Sequence, residues 1–432
     1  MSFDRTGTGR RRVLSVLAAT GVGAVAGCVD GEASDDSRGA PSSDGRRTET
    51  ERRDGESDLA ATGRQRVERT FEYHLERELH HGAQLTVYSD GEFVVDLAGG
   101  VAGPDGEPTD RDTRHVLFSA TKPFAAACVH LLVDRGELAY DDRIVDHWPA
   151  FAEEGTPKAE VTVRHLLSHQ AGLSQVPAID DDPSVWADPD AKARRLEAAE
   201  LAAAPGERAQ YHILSFGWLT GELVRRVTGR RIDRFAREEV FEPLGMDRTS
   251  IGLSADEPAD VATLVGFEPY DRIADPDPED AAYNREVAAQ FNSDAVRRAV
   301  VPAANGIGTA ADVVRFYACL LNGGELEGTR LFSPETVREW TSLEAERRAD
   351  PVRDGSPGRF SLGFFLGGGV HDSYGVTAPP ATYGHGGLGS IMGWADPEND
   401  LAFAYVTNGI RSGYEHGVRA TVMGDTVRHE LG

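Results

Sequence analysis

The sequence predicts an α+β fold: an antiparallel sheet built from both chain ends and flanked by helices, with an all-helical subdomain inserted at about 141–322. Two observations carry this reading. Strand-like runs stand near the two ends, at Gln84–Tyr88 and Phe93–Ala98 and again at Phe360–Leu366, Ser390–Ala395 and Leu401–Thr407. Between about Asp141 and Asn322 the apolar positions are mostly helical in spacing, as in VRHLLSHQAGL, FGWLTGELVRRVTG and ADVVRFYACLLNGG. Strands at both ends with helices between them describe a sheet assembled from distant segments around an insertion.

The elements follow in order. Arg10-Arg11-Arg12 precedes an apolar run of 14 residues, Val13 to Ala26, and Cys28 follows Val25-Ala26-Gly27 directly. The run is shorter than the roughly 20 residues a helix needs to cross a bilayer. Residues 1–27 resemble a twin-arginine lipoprotein signal, which implies export and a lipid-modified Cys28 as the first residue of the mature chain; a short membrane anchor is the plainer alternative. From Asp30 to Asp58 the only apolar side chains are Ala33 and Ala40. Such a composition cannot offset its ordering entropy, so 28–60 reads as a flexible tether and 61–432 as the folded domain.

Val67, Phe71, Leu75 and Leu79 recur every four residues and predict an amphipathic helix ending before Gly82. The strands that follow are joined across Ser89-Asp90-Gly91-Glu92, and an Asp-Gly pair favours a tight hairpin. His115–Phe118 then runs straight into a helix containing Ala125–Val133, a strand-to-helix junction where chemistry is expected. The last two strands meet through Asp396-Pro397-Glu398-Asn399-Asp400, and a final helix is expected over Val418–Leu431. Cys128 and Cys319 sit in apolar helical runs and read as buried, inert thiols; a pairing between them stays open.

Composition excludes some functions. The 432 residues are 40% hydrophobic, enough for a large core, and 71 acidic residues against 45 basic ones give a net charge of −26. A general basic surface for nucleic acid is therefore not expected. Of the cations only Lys122, Lys158 and Lys192 are lysines. An acidic, lysine-poor surface fits a high-salt habitat.

In LFSATKPF, Ser119 stands three residues before Lys122, which puts both side chains on one helical face a turn apart. The pair is useful only if Lys122 is desolvated or set near positive charge, so that its neutral amine can take the serine proton. Arginine could not do this. Pro123 leaves the start of the helix open.

LFSATKPF, VTVRHLLSHQAGL, YHILSFGWLTGELVRRVTG, NGIGTAADVVRFYACLLNGG and YGHGGLGSIMGWADPENDLAFAYVTN follow one another in the order and spacing of the β-lactamase-related serine hydrolases. The chain resembles that family over most of Arg66–Leu431. The family includes class C β-lactamases, D-alanyl-D-alanine carboxypeptidases, D-aminopeptidases and a group of carboxylesterases. The resemblance implies a β-lactamase/transpeptidase-like fold, with Ser119 as nucleophile, Lys122 as its base and Tyr211 as the phenol that moves protons with the lysine. It aligns His385-Gly386-Gly387 with the Lys-Thr-Gly of β-lactamases, on a strand beside the site, and gives an oxyanion hole from the backbone N–H groups of Ser119 and Leu388.

This sequence departs from the family pattern where substrate is held. Ile213 stands where β-lactamases carry an asparagine for the substrate's acylamino group, although Ser215 is close by. His385 and Gly386 replace a lysine and a hydroxyl residue, which weakens a site for a substrate carboxylate. YHILSFGW and NGIGTA resemble the esterase branch.

Competing signals are weaker. No serine lies in a G-x-S-x-G elbow. His165 and His169 are four apart, but Leu166 occupies the position where a zinc metalloprotease needs its glutamate. The DPDPED run and His80-His81 read as solvated loops, Phe216, Trp218 and Tyr405 as core aromatics, and Gly367-Gly368-Gly369 lacks the setting of a phosphate loop. The expectation is a lipid-anchored extracellular carboxylesterase that needs no metal or cofactor. Amide hydrolysis of β-lactams or D-peptides is the alternative, and a catalytically silent surface binding lipoprotein a second.

Overall fold

The computed structural model describes residues 49–432 apart from 256, 258–259, 268–277, 348–357, 369–373 and 412. The signal, Cys28 and most of the tether lie outside the described residues. The first helix, α1 (Glu49–Glu76), starts within the segment read as tether and ends before Leu79, with Glu78 in a left-handed conformation (φ 55°). Strands β1 (Gly82–Ser89) and β2 (Glu92–Gly100) form the predicted hairpin. Asp90 and Gly91 both have positive φ, 50° and 83°, as a tight two-residue turn with right-handed strand twist requires.

Ordered along the chain, the elements that position the site are β3 (His115–Val116), α2 (Lys122–Asp134), α3 (Ser215–Thr228), β4 (Ser250–Ile251), α4 (Pro278–Asn292), β5 (Gly306–Gly308) and α5 (Ala310–Leu321). They are followed by β6 (Ala345–Arg347), β7 (Gly358–Phe360), β8 (Phe365–Leu366), β9 (Tyr383–Gly387), β10 (Ile391–Asp396), β11 (Leu401–Thr407) and α6 (Gly413–Leu431). The main sheet has the order β2-β1-β11-β10-β9-β8-β7-β6 and is antiparallel throughout. Within it β1 pairs with β11, Ala83 opposite Thr407 and Ser89 opposite Leu401, so segments from the two chain ends join in one sheet as expected.

Alternation along β11 separates two apolar layers. Leu401, Phe403 and Tyr405 pack with Val67 and Phe71 of α1 and Met423 and Val427 of α6. Ala402, Ala404 and Val406 belong to the larger core on the other face, with Val313 and Tyr317 of α5. Small residues on this second face let α5 approach closely: a Cβ on Gly393 would stand 2.8 Å from the Tyr317 ring.

Several expectations are corrected. His80, read as a solvated loop residue, is buried, and Pro278–Asp280 of the DPDPED run begin α4. The insertion is not all helical: β4 and β3 flank β5 in a small three-stranded sheet, because the chain must reach an extended state to pair beside the Ser119 junction. Helix α5, placed in the insertion by its periodicity, instead covers the main sheet, since that periodicity reports an apolar stripe without naming its partner. The run Phe360–Leu366 is two strands, β7 and β8, folded back at Gly363, whose φ of 124° suits glycine alone. Cys128 and Cys319 are free and buried, and burial raises both thiol pKa values, Cys319 to about 12. No helix among the described residues is long and apolar enough to cross a membrane.

Candidate active site

Ser119 sits where β3 gives way to α2. Beyond β3, Phe118 bridges to Asn305 and takes φ 44°, ψ −134°, a costly conformation for a residue with a Cβ. It turns the chain into a 3₁₀ turn, Ser119–Thr121, that runs on into α2. Thr121 Oγ1 locks the turn by donating to Phe118 O at 2.6 Å and accepting from Gly306 N at 2.7 Å. Pro123 occupies the first turn of α2, where its missing N–H has no helical partner to lose.

Lys122 is fully buried. Its Nζ lies 3.1 Å from Ser119 Oγ and donates to Ala303 O at 3.1 Å. Burial alone drives the amine pKa well below its ordinary value. A neutral amine placed in this way can take the serine proton. Tyr211, on the loop before α3, carries its ring 4.8 Å from Lys122 Nζ and hydrogen-bonds Ser119 through its hydroxyl. Its pKa is raised by burial, an effect that the Ser119 bond opposes, so the phenol keeps its proton.

His385 lies on β9, as expected, with Nδ1 2.7 Å from Gly386 O and Nε2 3.4 Å from Tyr211 Oη. Burial, and after it the nearby Lys122, lower its pKa to about 3. The imidazole is therefore neutral, donates through Nδ1 and presents Nε2 as an acceptor. Such a group offers no positive charge to a substrate carboxylate.

The end of β9 presses on the Ser119 segment. A Cβ on Gly387 would overlap Leu117 O, so only glycine permits this approach. Leu388 follows immediately. Among the described residues neither its backbone N–H nor that of Ser119 donates to a protein acceptor, which leaves both for an oxyanion.

Ser119 opens into a largely apolar cleft lined by Phe118, Trp186, Ile213, Phe291 and Leu388, with Gln290 as a polar side chain at its wall. Ile213 thus takes part as an apolar surface. Ser215 does not substitute for a recognition group: its hydroxyl is buried and donates to Leu173 O at 2.5 Å. Sequence reading missed Gln290 and Phe291 of α4, which no motif marks, and it weighed His169 only as a metal partner of His165, missing its place beside Tyr211. That histidine has φ 63°, accepts from His212 N at 3.1 Å and sets its ring 4.9 Å from that of Tyr211. His165 instead closes a capping box with Thr162 at a helix start, and no cluster of three or more metal-ligating side chains occurs among the described residues. Phe216, Trp218 and Tyr405 are core aromatics.

Comparison with known proteins agrees with this geometry. The "Beta-lactamase" family model matches residues 67–427. The "Esterase/beta-lactamase LipL" of Mycobacterium tuberculosis is 36% identical over 357 residues, 77% of this chain and 78% of that protein. A family VIII carboxylesterase crystal structure superposes with a TM-score of 0.73 at 33% identity, covering 84% of this chain and 97% of that one. A penicillin-binding protein homologue from Caulobacter crescentus gives 0.72 at 34% identity, covering 87% and 98%. With a match that spans the whole sheet and the helices around Ser119, the chain belongs to the β-lactamase family and is a serine hydrolase of β-lactamase/transpeptidase-like fold.

Proposed function

We propose that this protein is a carboxylesterase, exported by the twin-arginine route and lipid-anchored through Cys28 at the outer face of the cell membrane, that works through a Ser119 acyl-enzyme. The observation that carries the ester reading is the cleft at Ser119. It is apolar at Ile213, and the His385 that meets Tyr211 Oη is neutral, where a β-lactam or D-peptide site holds an amide and a carboxylate with polar and cationic groups. An ester makes neither demand.

In this reading Lys122 removes the Ser119 proton as Oγ attacks the ester carbonyl, and the N–H groups of Ser119 and Leu388 receive the oxyanion. Tyr211 gives its proton to the departing alkoxide as the tetrahedral intermediate collapses, and the proton held on Lys122 restores the phenol. Water then repeats the sequence on the acyl-enzyme, with the acid leaving and Ser119 regaining its proton. No step requires a cofactor.

Amide hydrolysis is the second reading, favoured by the 34% identity to a penicillin-binding protein homologue. The test is hydrolysis of short-chain esters, a cephalosporin and a D-alanyl-D-alanine peptide in concentrated salt, each corrected for Ser119→Ala. Ser119-dependent turnover of esters with little on the others supports the proposal. Preferential lactam or peptide turnover replaces it with the second reading. No Ser119-dependent rate, together with resistance to a fluorophosphonate, would mark a silent binding protein. Release of Cys28→Ala into the medium tests the anchor.

A further inference from the structure

Between the main sheet and the paired end helices lies a group of buried polar side chains that no step above uses. Its centre is Arg419 of α6, 3% exposed. The guanidinium donates to Gly389 O at 2.5 Å, to Gly409 O at 2.8 Å and to Leu79 O, and it reaches His80 Nδ1 at 3.0 Å and His416 Nδ1 at 3.3 Å. Burying a cation is costly unless its hydrogen bonds are met. Here they are met largely by main-chain oxygens from three separate segments, so the side chain acts as a rivet between them.

One of those segments belongs to the site. Gly389 follows Leu388 and has φ 56°, and a Cβ on it would overlap Arg411 O. Its carbonyl accepts from Arg411 N at 3.1 Å as well as from Arg419. On the other side of Leu388, Gly387 abuts Leu117 O. The Leu388 peptide is therefore strung between a contact with the Ser119 segment and an anchor at Arg419.

We propose that Arg419 is a positioning residue: by clamping Gly389 O it holds the Gly387–Gly389 turn so that the Leu388 N–H faces the carbonyl attacked by Ser119. The inference rests on the reading of Leu388 as an oxyanion donor. Lysine cannot replace the arginine here, because one ammonium does not span the forked geometry from Leu79 O to Gly389 O.

The test compares Arg419→Lys and Arg419→Met with Tyr405→Phe in the full chain. Tyr405 joins the same buried group through His80 and lies on β11, outside the Gly387–Gly389 turn. Hydrolysis of p-nitrophenyl butyrate, affinity for phenylboronic acid as a tetrahedral adduct of Ser119, and thermal unfolding are measured for each. Both Arg419 variants should lose about 10²-fold in kcat with KM within about threefold, since a displaced donor costs the transition state and not the ground state. Boronate affinity should fall in parallel, and Tyr405→Phe should retain its kcat at a comparable melting temperature. Normal kcat and boronate affinity in a folded Arg419→Lys would overturn the proposal. So would equal kcat losses in Arg419→Lys and Tyr405→Phe, which report destabilisation only. Ser119→Ala separates the failures: if it stays active, the nucleophile reading falls independently of Arg419.

Discussion

Lys122 holds its amine 3.1 Å from Ser119 Oγ while donating to Ala303 O at the same distance, and burial is what shifts its pKa. With one N–H committed to the carbonyl and burial disfavouring an ammonium, the amine is placed to accept the serine proton. Lys122→Arg should cost about 10³-fold in kcat, because guanidinium stays protonated. Lys122→Met should cost as much while unfolding within a few degrees of the parent, since it removes a buried polar group of similar volume. Near-normal turnover in either variant would remove Lys122 from the base role.

Tyr211 makes a separable prediction. Its hydroxyl stands between Ser119 and His385 Nε2, and its pKa is raised, so it is placed to give up a proton only as an alkoxide forms beside it. Tyr211→Phe should lower kcat by about 10²-fold for esters of poor leaving groups, and by much less for p-nitrophenyl esters, whose leaving group needs no proton. An equal loss on both would point to a packing role.

Acid should unfold the protein earlier than its acidic composition implies. His74, His115 and His212 have pKa values lowered to about 4, and His130, His385 and His416 to about 3, each mainly by burial. The unfolded chain binds protons near pH 6.5 that the native chain refuses, so stability is full above that pH and falls as pH drops toward 4 and 3, by about 1.4 kcal/mol per unit for each buried group. Asp180 and Asp312 act in the opposite sense. Their pKa values are raised to about 6 by burial, so the native state gains protons first and is stabilised between pH 6 and the ordinary carboxylate range. The histidines outnumber them. Melting temperature measured from pH 8 to 4 should fall steeply below about 6.5, and a flat profile down to pH 4.5 would contradict the neutral, buried state of these rings.

The lysines show what was legible in the sequence and why. Lys122 drew attention because it stands three residues after a serine in an arginine-rich chain. Each lysine turned out to serve main-chain oxygens: the half-buried Lys158 donates to Leu196 O, Glu197 O and Ala199 O at a helix end, and the half-buried Lys192 to Trp186 O. A compact ammonium fits a nest of carbonyls that a guanidinium would not, so only the Ser-x-x-Lys spacing separated Lys122 from the two structural lysines. The sheet was legible for a similar local reason, since period-two runs and the Asp90-Gly91 turn are encoded within a few residues. The course of α5 and the cleft wall from α4 were not, because which surface an apolar stripe meets is settled by the packing of distant segments.

That cleft wall supports the last prediction. Phe291 of α4 packs its ring 4.8 Å from that of Phe118, the residue before Ser119, and with Ile213 and Trp186 it bounds the apolar space open to the substrate's acyl group. Each methylene that finds room there is worth about 0.8 kcal/mol, or roughly fourfold in kcat/KM; each one refused loses that gain and adds overlap. The parent should therefore prefer short acyl chains on a p-nitrophenyl ester series from acetate to decanoate. Phe291→Ala removes a ring from the wall and should move the optimum to longer chains, raising kcat/KM for octanoate relative to acetate by at least tenfold. His385→Gln, which touches Tyr211 and not the lining of this cleft, should leave the position of the optimum unchanged. If the Phe291→Ala profile matches the parent's across the series, the acyl group occupies some other part of the site and the cleft is the alcohol's.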